Sequence, residues 1–513
     1  MNNKPETGSD FRFLILFLSF VPLLIHLYTN AFAGYGYFRD ELYYFACSNR
    51  LDLGYVDQPP LSIYFLFLSR NIFGDSIFAL RMLPAVISAV TVFITALMTI
   101  KLGGKKFAIV ISSVAVIFAP VYLGMNSYFS MNSFDILLWT TALYIIVLIV
   151  KENKFSYWIF LGFVIGFGLL NKIGFLWLGF GFFAGLLVTD KRKLLLTSKP
   201  YITALIALVI FVPYIIWNIK NNFAHLEFIQ NATSGKYSGL NIANFIKGQF
   251  LSMNPFSAFI WIPGLYYLLF DREGKKFRLL AIIYIASFLI LVLNGHSKAE
   301  YLAPAYPALF AGGGVLIERI SSVKLRWLKY AVISFVVISG IMFSPLAIPI
   351  LPVEAYIEYS RKLGIHPSSS ESKKLSELPQ FYADMFGWEE MASDVSNVYL
   401  SLTENERKRA IVFGRNYGEA ASIEFFKNKY PLPPAISGHN SYWIWGFDKV
   451  DDPVLIIIGG DKEDHLKFFE NVEEAGIHKA GYSMPYENDL PIFIARHPKL
   501  SLSDAWLKIK HYD

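Results

Sequence analysis

Apolar runs long enough to cross a bilayer recur along the first two thirds of this chain, and this repetition limits its fold more than any other feature. A membrane-spanning helix takes roughly 20 apolar residues, and about eleven stretches approach that length. They are 12–33, 77–100, 107–124, 134–150, 156–170, 173–189, 200–218, 255–270, 277–294, 301–317 and 328–349. Backbone amides in hydrocarbon must find partners within their own segment, so such runs are read as helices. The chain is 54% hydrophobic and 17% charged, against about 25% charged in soluble domains. Its 17% aromatic content suits interfacial belts. The net charge of +6 does not point to nucleic acid, because Lys and Arg cluster in short loops between apolar runs. Cys47 is the single cysteine, so no internal disulfide can form.

Loop charge sets the expected topology. With the N-terminus cytoplasmic, the cytoplasmic loops carry Lys101, Lys105 and Lys106; Lys151 and Lys154; Lys191, Arg192 and Lys193; Arg272, Lys275 and Lys276; and Arg319, Lys324, Arg326 and Lys329. The opposite loops hold fewer cations. An odd number of spans then leaves the C-terminus extracytoplasmic, in a multi-pass protein of the cell (inner) membrane. The first run follows Lys4 and Arg12, and Ala31-Phe32-Ala33 resembles a signal-peptidase site. Its apolar core exceeds the roughly 7–15 residues of a cleaved signal, so it is read as an uncleaved helix.

The character changes near residue 350. Charges become dense, and β-like runs such as Ala410-Ile411-Val412-Phe413 and Val454 to Ile458 alternate with helical patterns such as Glu419 to Asn428. The expected fold is therefore an α-helical polytopic domain over 1–350, with outer loops 34–76 and 219–254, followed by a small extracytoplasmic α/β domain over 351–513. Residues 366–378 read as a polar linker. No internal repeat is evident.

Charges near a membrane are costly and mark function. In the first outer loop, Arg39-Asp40-Glu41-Leu42 opens a segment with helical spacing, expected to be an amphipathic helix lying on the surface. Asp57 precedes Pro59-Pro60, which impose an extended, stiff backbone able to hold a carboxylate. The plain alternative is that Asp40 caps a helix and Asp57 a turn. Asp135 stands just before an apolar run, where an N-cap role competes. His225 and Glu227 lie just beyond a span, and His296-Ser297-Lys298 precedes Glu300-Tyr301 at a helix start. Arg81 and Lys172 sit near span boundaries, where snorkelling is the competing account.

These residues put carboxylates and cations on one membrane face. In a transferase, a carboxylate takes a proton from an acceptor hydroxyl while cations or a metal stabilise a departing phosphate. A transporter or lipid flippase is the alternative, but its carboxylates belong within spans near the midplane, and the apolar runs here carry almost none. A receptor-like module on a membrane anchor would not need so many spans. The Gly414 to Gly418 stretch is too weak a signal for nucleotide binding.

Several stretches also carry a resemblance: Arg39-Asp40-Glu41-Leu42-Tyr43-Tyr44, Gly54-Tyr55-Val56-Asp57-Gln58-Pro59-Pro60-Leu61, Arg81-Met82-Leu83-Pro84, Trp217 to Phe228, and His296-Ser297-Lys298 with Tyr301 and Pro304. Asn416-Tyr417-Gly418-Glu419-Ala420 and Ser437-Gly438-His439-Asn440-Ser441-Tyr442 add to it. The chain resembles polytopic GT-C glycosyltransferases, in the bacterial branch related to dolichyl-phosphate-mannose protein mannosyltransferases and lipid A aminoarabinose transferases. That resemblance implies a polyprenyl-phosphate sugar donor, an envelope acceptor (lipid, glycan or protein) and inverting transfer on the non-cytoplasmic face. It implies Asp40 as catalytic base, with Glu41 beside it and Asp57 in support. It also implies Arg81, Lys172 or Lys298 at the donor phosphate, and Asp135, His296 and Tyr301 along the cavity. Asp57 and His225 are the implied ligands of a divalent cation (Mg, Mn or Zn). The lipid A enzymes usually have Glu-Lys-Pro-Pro where this chain has Asp57-Gln58-Pro59-Pro60, which removes one phosphate-binding cation and weakens the case for aminoarabinose transfer.

Overall fold

All the apolar runs become helical over most of their length, in a computed structural model that describes residues 11–369, 371 and 373–513. Lys4, one of the cations placed before the first run, lies outside the described residues. Among these, six helices are long and apolar enough to cross a membrane: Arg12–Phe32, Ile77–Lys101, Met131–Glu152, Lys199–Lys220, Lys275–Asn294 and Leu328–Ala347. Lys106–Ile117, Phe155–Asn171, Phe175–Val188 and Pro255–Phe270 are shorter apolar helices. One cause of shortening is local. The 107–124 run stops at Ile117 because Ala119 precedes Pro120, whose ring drives the preceding residue to extended backbone, and a second helix restarts at Pro120. The 301–317 run begins as a 3-10 turn, Ala299–Ala305, and becomes α-helical over Tyr306–Val323.

The chain divides into two compact units. The first comprises residues 1–33, 72–216 and 240–352 and is wholly helical in its described residues. Its Ala258–Phe270 and Tyr306–Val323 helices touch backbone to backbone. A Cβ on Gly264 would stand 1.9 Å from the Leu309 carbonyl oxygen, and one on Gly313 1.9 Å from that of Ile260. Small residues at a crossing let helices gain dispersion contact where lipid offers no hydrophobic drive. Buried hydroxyls are satisfied locally, as where Thr99 and Ser112 share a 2.8 Å hydrogen bond.

The second unit gathers Gly34–Asn71, Trp217–Gly239 and Val353–Asp513. Its core is a five-stranded sheet of β1 (Ala410–Phe413), β2 (Ala435–Ile436), β3 (Val454–Ile458), β4 (Phe469–His478) and β5 (Leu490–Pro498), in the order β2-β1-β3-β5-β4. The β1, β2 and β3 strands are parallel, and β5 runs antiparallel to β3 and β4. The continuous Val-Leu-Ile-Ile-Ile run of β3 suits a central strand covered on both faces, and all five residues are buried. The Tyr417–Phe426 helix leaves β1 through a short turn in which the Asn416 side chain caps the N–H groups of Gly418 and Glu419.

Candidate active site

Within the second unit, the Arg39–Ser48 helix presents its two acids in the first turn, where the helix dipole favours them. They take different roles. Glu41 is 1% exposed and its Oε2 accepts the Phe38 N–H at 2.8 Å, so Glu41 rather than Asp40 makes the cap. Asp40 keeps about a third of its side chain exposed. It accepts a hydrogen bond from the Tyr417 hydroxyl at 2.8 Å and stands 3.7 Å from Arg39 Nε. The expectation of an amphipathic surface helix is corrected: nine of the ten residues are buried, Asp40 being the exception. The reason is that this helix packs against Tyr417–Phe426 while Phe38, Tyr43 and Phe45 meet further aromatic rings.

Asp57 lies in a bend closed by a Tyr55 N–H to Gln58 carbonyl hydrogen bond of 3.0 Å, not in extended backbone. Its Oδ1 accepts from the Tyr43 hydroxyl at 2.9 Å. Desolvation pushes the Asp57 carboxyl up to about 7, and the Asp40 charge adds to the rise. Tyr43 and Tyr417 stack with ring centroids 4.7 Å apart, so each acid is held by one member of a tyrosine pair. The Ser441 N–H donates to the Tyr43 oxygen at 3.2 Å, and Ser441 Oγ accepts the Val56 N–H at 3.1 Å.

Arg39 is the cation of this group. Its guanidinium lies 3.6 Å from Glu371 and 3.8 Å from Asp384, donates to the Tyr486 hydroxyl at 2.8 Å and faces the Tyr417 ring. Burial drives the Asp384 carboxyl up to about 6 against the pull of Arg39. Lys236 reaches Glu371 at 3.3 Å. Behind them Glu419 and Glu487, both almost wholly buried, share the Asn416 side-chain amide at 3.0 and 2.8 Å. Burial raises both carboxyls, so this pair favours the protonated form.

His225 follows two non-glycine residues in left-handed backbone, Asn222 (φ 53°) and Phe223 (φ 57°). For a residue as bulky as phenylalanine that conformation is costly. The His225 ring stacks on Phe228, and its Nδ1 lies 2.9 Å from the Val56 carbonyl. That contact requires Nδ1–H, which leaves Nε2 with the lone pair. Burial lowers its pKa to about 4, so the ring is neutral.

The other expected residues belong to the first unit. Lys172 donates to Asn132 Oδ1 at 2.8 Å, approaches Asp135 at 3.8 Å and lies over the Tyr301 ring at 5.0 Å. Lys298 and Glu300 are near enough to act on it electrostatically. Lys172 is therefore engaged by protein and does not snorkel. Asp135 is not the helix cap, because Ser130 takes that place. Arg81, 2% exposed, is likewise buried on its helix, and its carbonyl accepts from Asn30. His296 is exposed and bonds the Leu240 carbonyl through Nδ1 at 3.0 Å.

Among the described residues, one group of three has metal-ligand chemistry at close range: His439, His511 and Asp513, with ligand atoms within 4.8 Å of one another. His439 is poorly set up for a metal. Its Nδ1 accepts the Tyr417 N–H at 3.3 Å, so Nε2 carries the proton given to Asp513 at 3.1 Å. The group fixes the start of the Tyr417–Phe426 helix.

Comparison with known proteins finds chains of similar sequence and fold. Residues 57–217 match the family model of dolichyl-phosphate-mannose-protein mannosyltransferase. ArnT from Cupriavidus metallidurans, solved bound to undecaprenyl phosphate, superposes with a TM-score of 0.60 over 95% of this chain and 98% of that one, at 11% identity. The chain is similar to the GT-C glycosyltransferases. Lipid A galacturonosyltransferase RgtD of Rhizobium johnstonii is 21% identical over 317 residues, 61% of this chain and 66% of the relative. An oligosaccharyltransferase of Archaeoglobus fulgidus shares the fold more loosely, with a TM-score of 0.51 over 82% of this chain and 64% of that one, at 14% identity. These likenesses bear out the resemblance drawn from the chain's motifs. Of the outer-domain stretches behind that resemblance, the one around Tyr417 touches Asp40, and the one around Ser441 touches Tyr43, which holds Asp57. The sequence placed Tyr43 and Tyr417 in stretches that carry the resemblance without giving either a role, and it missed Glu371 and Asp384, which carry no motif signal.

Proposed function

We propose that this chain is an inverting glycosyltransferase that moves a sugar from a polyprenyl-phosphate donor to an envelope acceptor on the extracytoplasmic face of the membrane. The observation that carries the reading is Asp40: a part-exposed carboxylate, in the first turn of a buried helix, oriented by the Tyr417 hydroxyl. In this reading the acceptor hydroxyl attacks the anomeric carbon on the face opposite the phosphate. Its proton passes to an Asp40 oxygen as the new glycosidic bond forms. The bond from anomeric carbon to phosphate oxygen breaks, and its electron pair leaves on the polyprenyl phosphate. A phosphate leaving group needs no acid if cations offset its charge, a role the family resemblance assigns to Arg81, Lys172 or Lys298. Asp57, held by Tyr43, supports the base.

Asp57 and His225 are the proposed ligands of a divalent cation, a carboxylate and an imidazole being donor types that suit one. His225 bonds a carbonyl through Nδ1, the second-shell contact that orients metal-binding imidazoles. Asp57 has one oxygen engaged by Tyr43 and a second to offer. An ion held by Asp57 and His225 would add positive charge beside the leaving phosphate. The RgtD and ArnT likenesses support a lipid or glycan acceptor as a class.

The test is mass spectrometry of polyprenyl-phosphate lipids from cells carrying wild type or Asp40→Asn. Accumulation of one polyprenyl-phosphate sugar in the variant is expected and identifies the donor. Full transfer by a folded Asp40→Asn protein would sink the assignment. Movement of lipid without any glycosylated product would favour a flippase.

A further inference from the structure

Within the second unit, one turn, residues 437–442, reaches both tyrosines that hold the acids. His439 Nδ1 accepts the Tyr417 N–H at 3.3 Å, and the two rings meet at 4.7 Å. The Ser441 N–H donates to the Tyr43 oxygen, and Ser441 Oγ accepts the N–H of Val56, the residue before Asp57. Between them Asn440 sits at φ 48°, ψ −133°, a backbone that residues with a side chain rarely adopt. Such a conformation persists only where its surroundings over-determine it, and it gathers at functional sites.

The surroundings here are residues 509–513. The Asn440 N–H donates to the His511 carbonyl and the His511 N–H to the Gly438 carbonyl, each at 3.0 Å. The Asn440 side chain grips Asp513 twice: Oδ1 accepts its N–H at 3.3 Å, and Nδ2 donates to its main-chain oxygen at 3.4 Å. That oxygen and Asp513 Oδ1 share the His439 Nε2–H, each at 3.1 Å, and the His439 and His511 rings stack at 4.5 Å. The two backbones lie so close that a Cβ on Gly438 would collide with the Ile509 carbonyl oxygen. The stretch is itself anchored. Tyr512 is buried, its carbonyl accepts from Asn231 at 2.9 Å, and Lys510 pairs with Glu227 at 2.7 Å.

Each acid therefore ends a run of contacts that begins at Asp513. One passes through His439 and Tyr417 to Asp40, the other through Asn440, Ser441 and Tyr43 to Asp57. Small misplacements of a reacting group cost rate out of proportion to their size. We propose that residues 509–513 form a strap that positions both acids, with His439 and Asn440 as positioning residues. The inference rests on the reading of Asp40 as the base.

The test is turnover of the full chain in proteoliposomes, with the polyprenyl-phosphate fraction of Asp40→Asn cells as donor and their envelope extract as acceptor. Asn440→Gly suits the backbone, which glycine adopts freely, and cuts the side-chain ties to Asp513. Gly438→Ala pushes the strap off the turn. Turnover is expected to fall about threefold in Asn440→Gly and about tenfold in Gly438→Ala, with KM within twofold. Both losses should vanish when Tyr43→Phe and Tyr417→Phe are also present, because no hydroxyl is left to position. A strap that only stabilised the fold would cost the same factor there. Asn440→Gly is expected to unfold close to the wild-type temperature, so it carries the test if Gly438→Ala does not fold. Full turnover in Asn440→Gly, or an equal loss with and without the two hydroxyls, would overturn the strap and leave Asp40 as base. A fully active Asp40→Asn would overturn the base, and the strap with it.

Discussion

Replacing Tyr417 with phenylalanine removes one oxygen and tests whether Asp40 depends on being held. The ring contacts survive: the stack on Tyr43 at 4.7 Å, on His439 at 4.7 Å and the Arg39 guanidinium at 5.4 Å. What goes is a 2.8 Å hydrogen bond from a neutral donor to a carboxylate. Such bonds are worth about 1.5–3 kcal/mol. Because about a third of the Asp40 side chain meets solvent, water can replace part of it, and the lower bound of about 1.5 kcal/mol applies, roughly tenfold in rate. Turnover in proteoliposomes, using the donor lipid that accumulates in Asp40→Asn cells, is expected to fall about tenfold with KM within twofold. Asp40→Asn is expected to lose on the order of 10²–10⁴, the span of general-base catalysis. Thermal unfolding of the two variants should stay close to wild type. Turnover within twofold of wild type in Tyr417→Phe, while Asp40→Asn is dead, would refute the positioning argument.

Three further outcomes follow from the same cluster. Arg39→Met removes the cation that faces Glu371, Asp384 and Asp40 and leaves buried Asp384 without an ion-pair partner; it should cost about 3–5 kcal/mol, read as a lowered unfolding temperature in detergent. The raised carboxyls of Glu419 and Glu487 mean that the folded state holds their protons more tightly than the unfolded chain. Stability from this pair is therefore fully present at low pH and declines as pH rises through neutrality. Glu487→Gln fixes the neutral form, and its unfolding temperature should vary less than wild type between pH 5 and 8. If a divalent ion serves the reaction, EDTA should lower wild-type turnover while leaving a folded His225→Ala protein with no further loss; equal EDTA loss in both would remove His225 from the metal.

The helical domain was legible because a span is a local property: about 20 apolar residues suffice to specify it. Its shortened helices were less so. The Pro120 break is written in the sequence, yet apolar residues on both sides concealed it. Asp40 and Asp57 stood out because acids are scarce in this setting. Which acid caps the helix did not, although Glu41 at the third helical position is a known cap partner. The partners of the acids were out of reach for a simple reason. Tyr417 lies 377 residues from Asp40, Glu424 lies 374 from Arg50, and Val56 lies 169 from His225. No local pattern encodes such pairings: the stretch around Tyr417 carried a resemblance, but nothing in it pointed to Asp40.

That separation has a consequence for how the protein is made. At about 5–20 residues per second, a ribosome needs roughly 20–75 s to go from Asp40 to Tyr417. Throughout that time Leu42, Tyr43 and Phe45, all buried in the finished molecule, have no Tyr417–Phe426 helix to pack against. The segment must wait at the membrane surface in a form that neither aggregates nor inserts wrongly. A chain halted before residue 410 would hold both acids and neither the tyrosine nor the sheet that set Asp40 in place, so a late-made part of the chain orients a side chain made early.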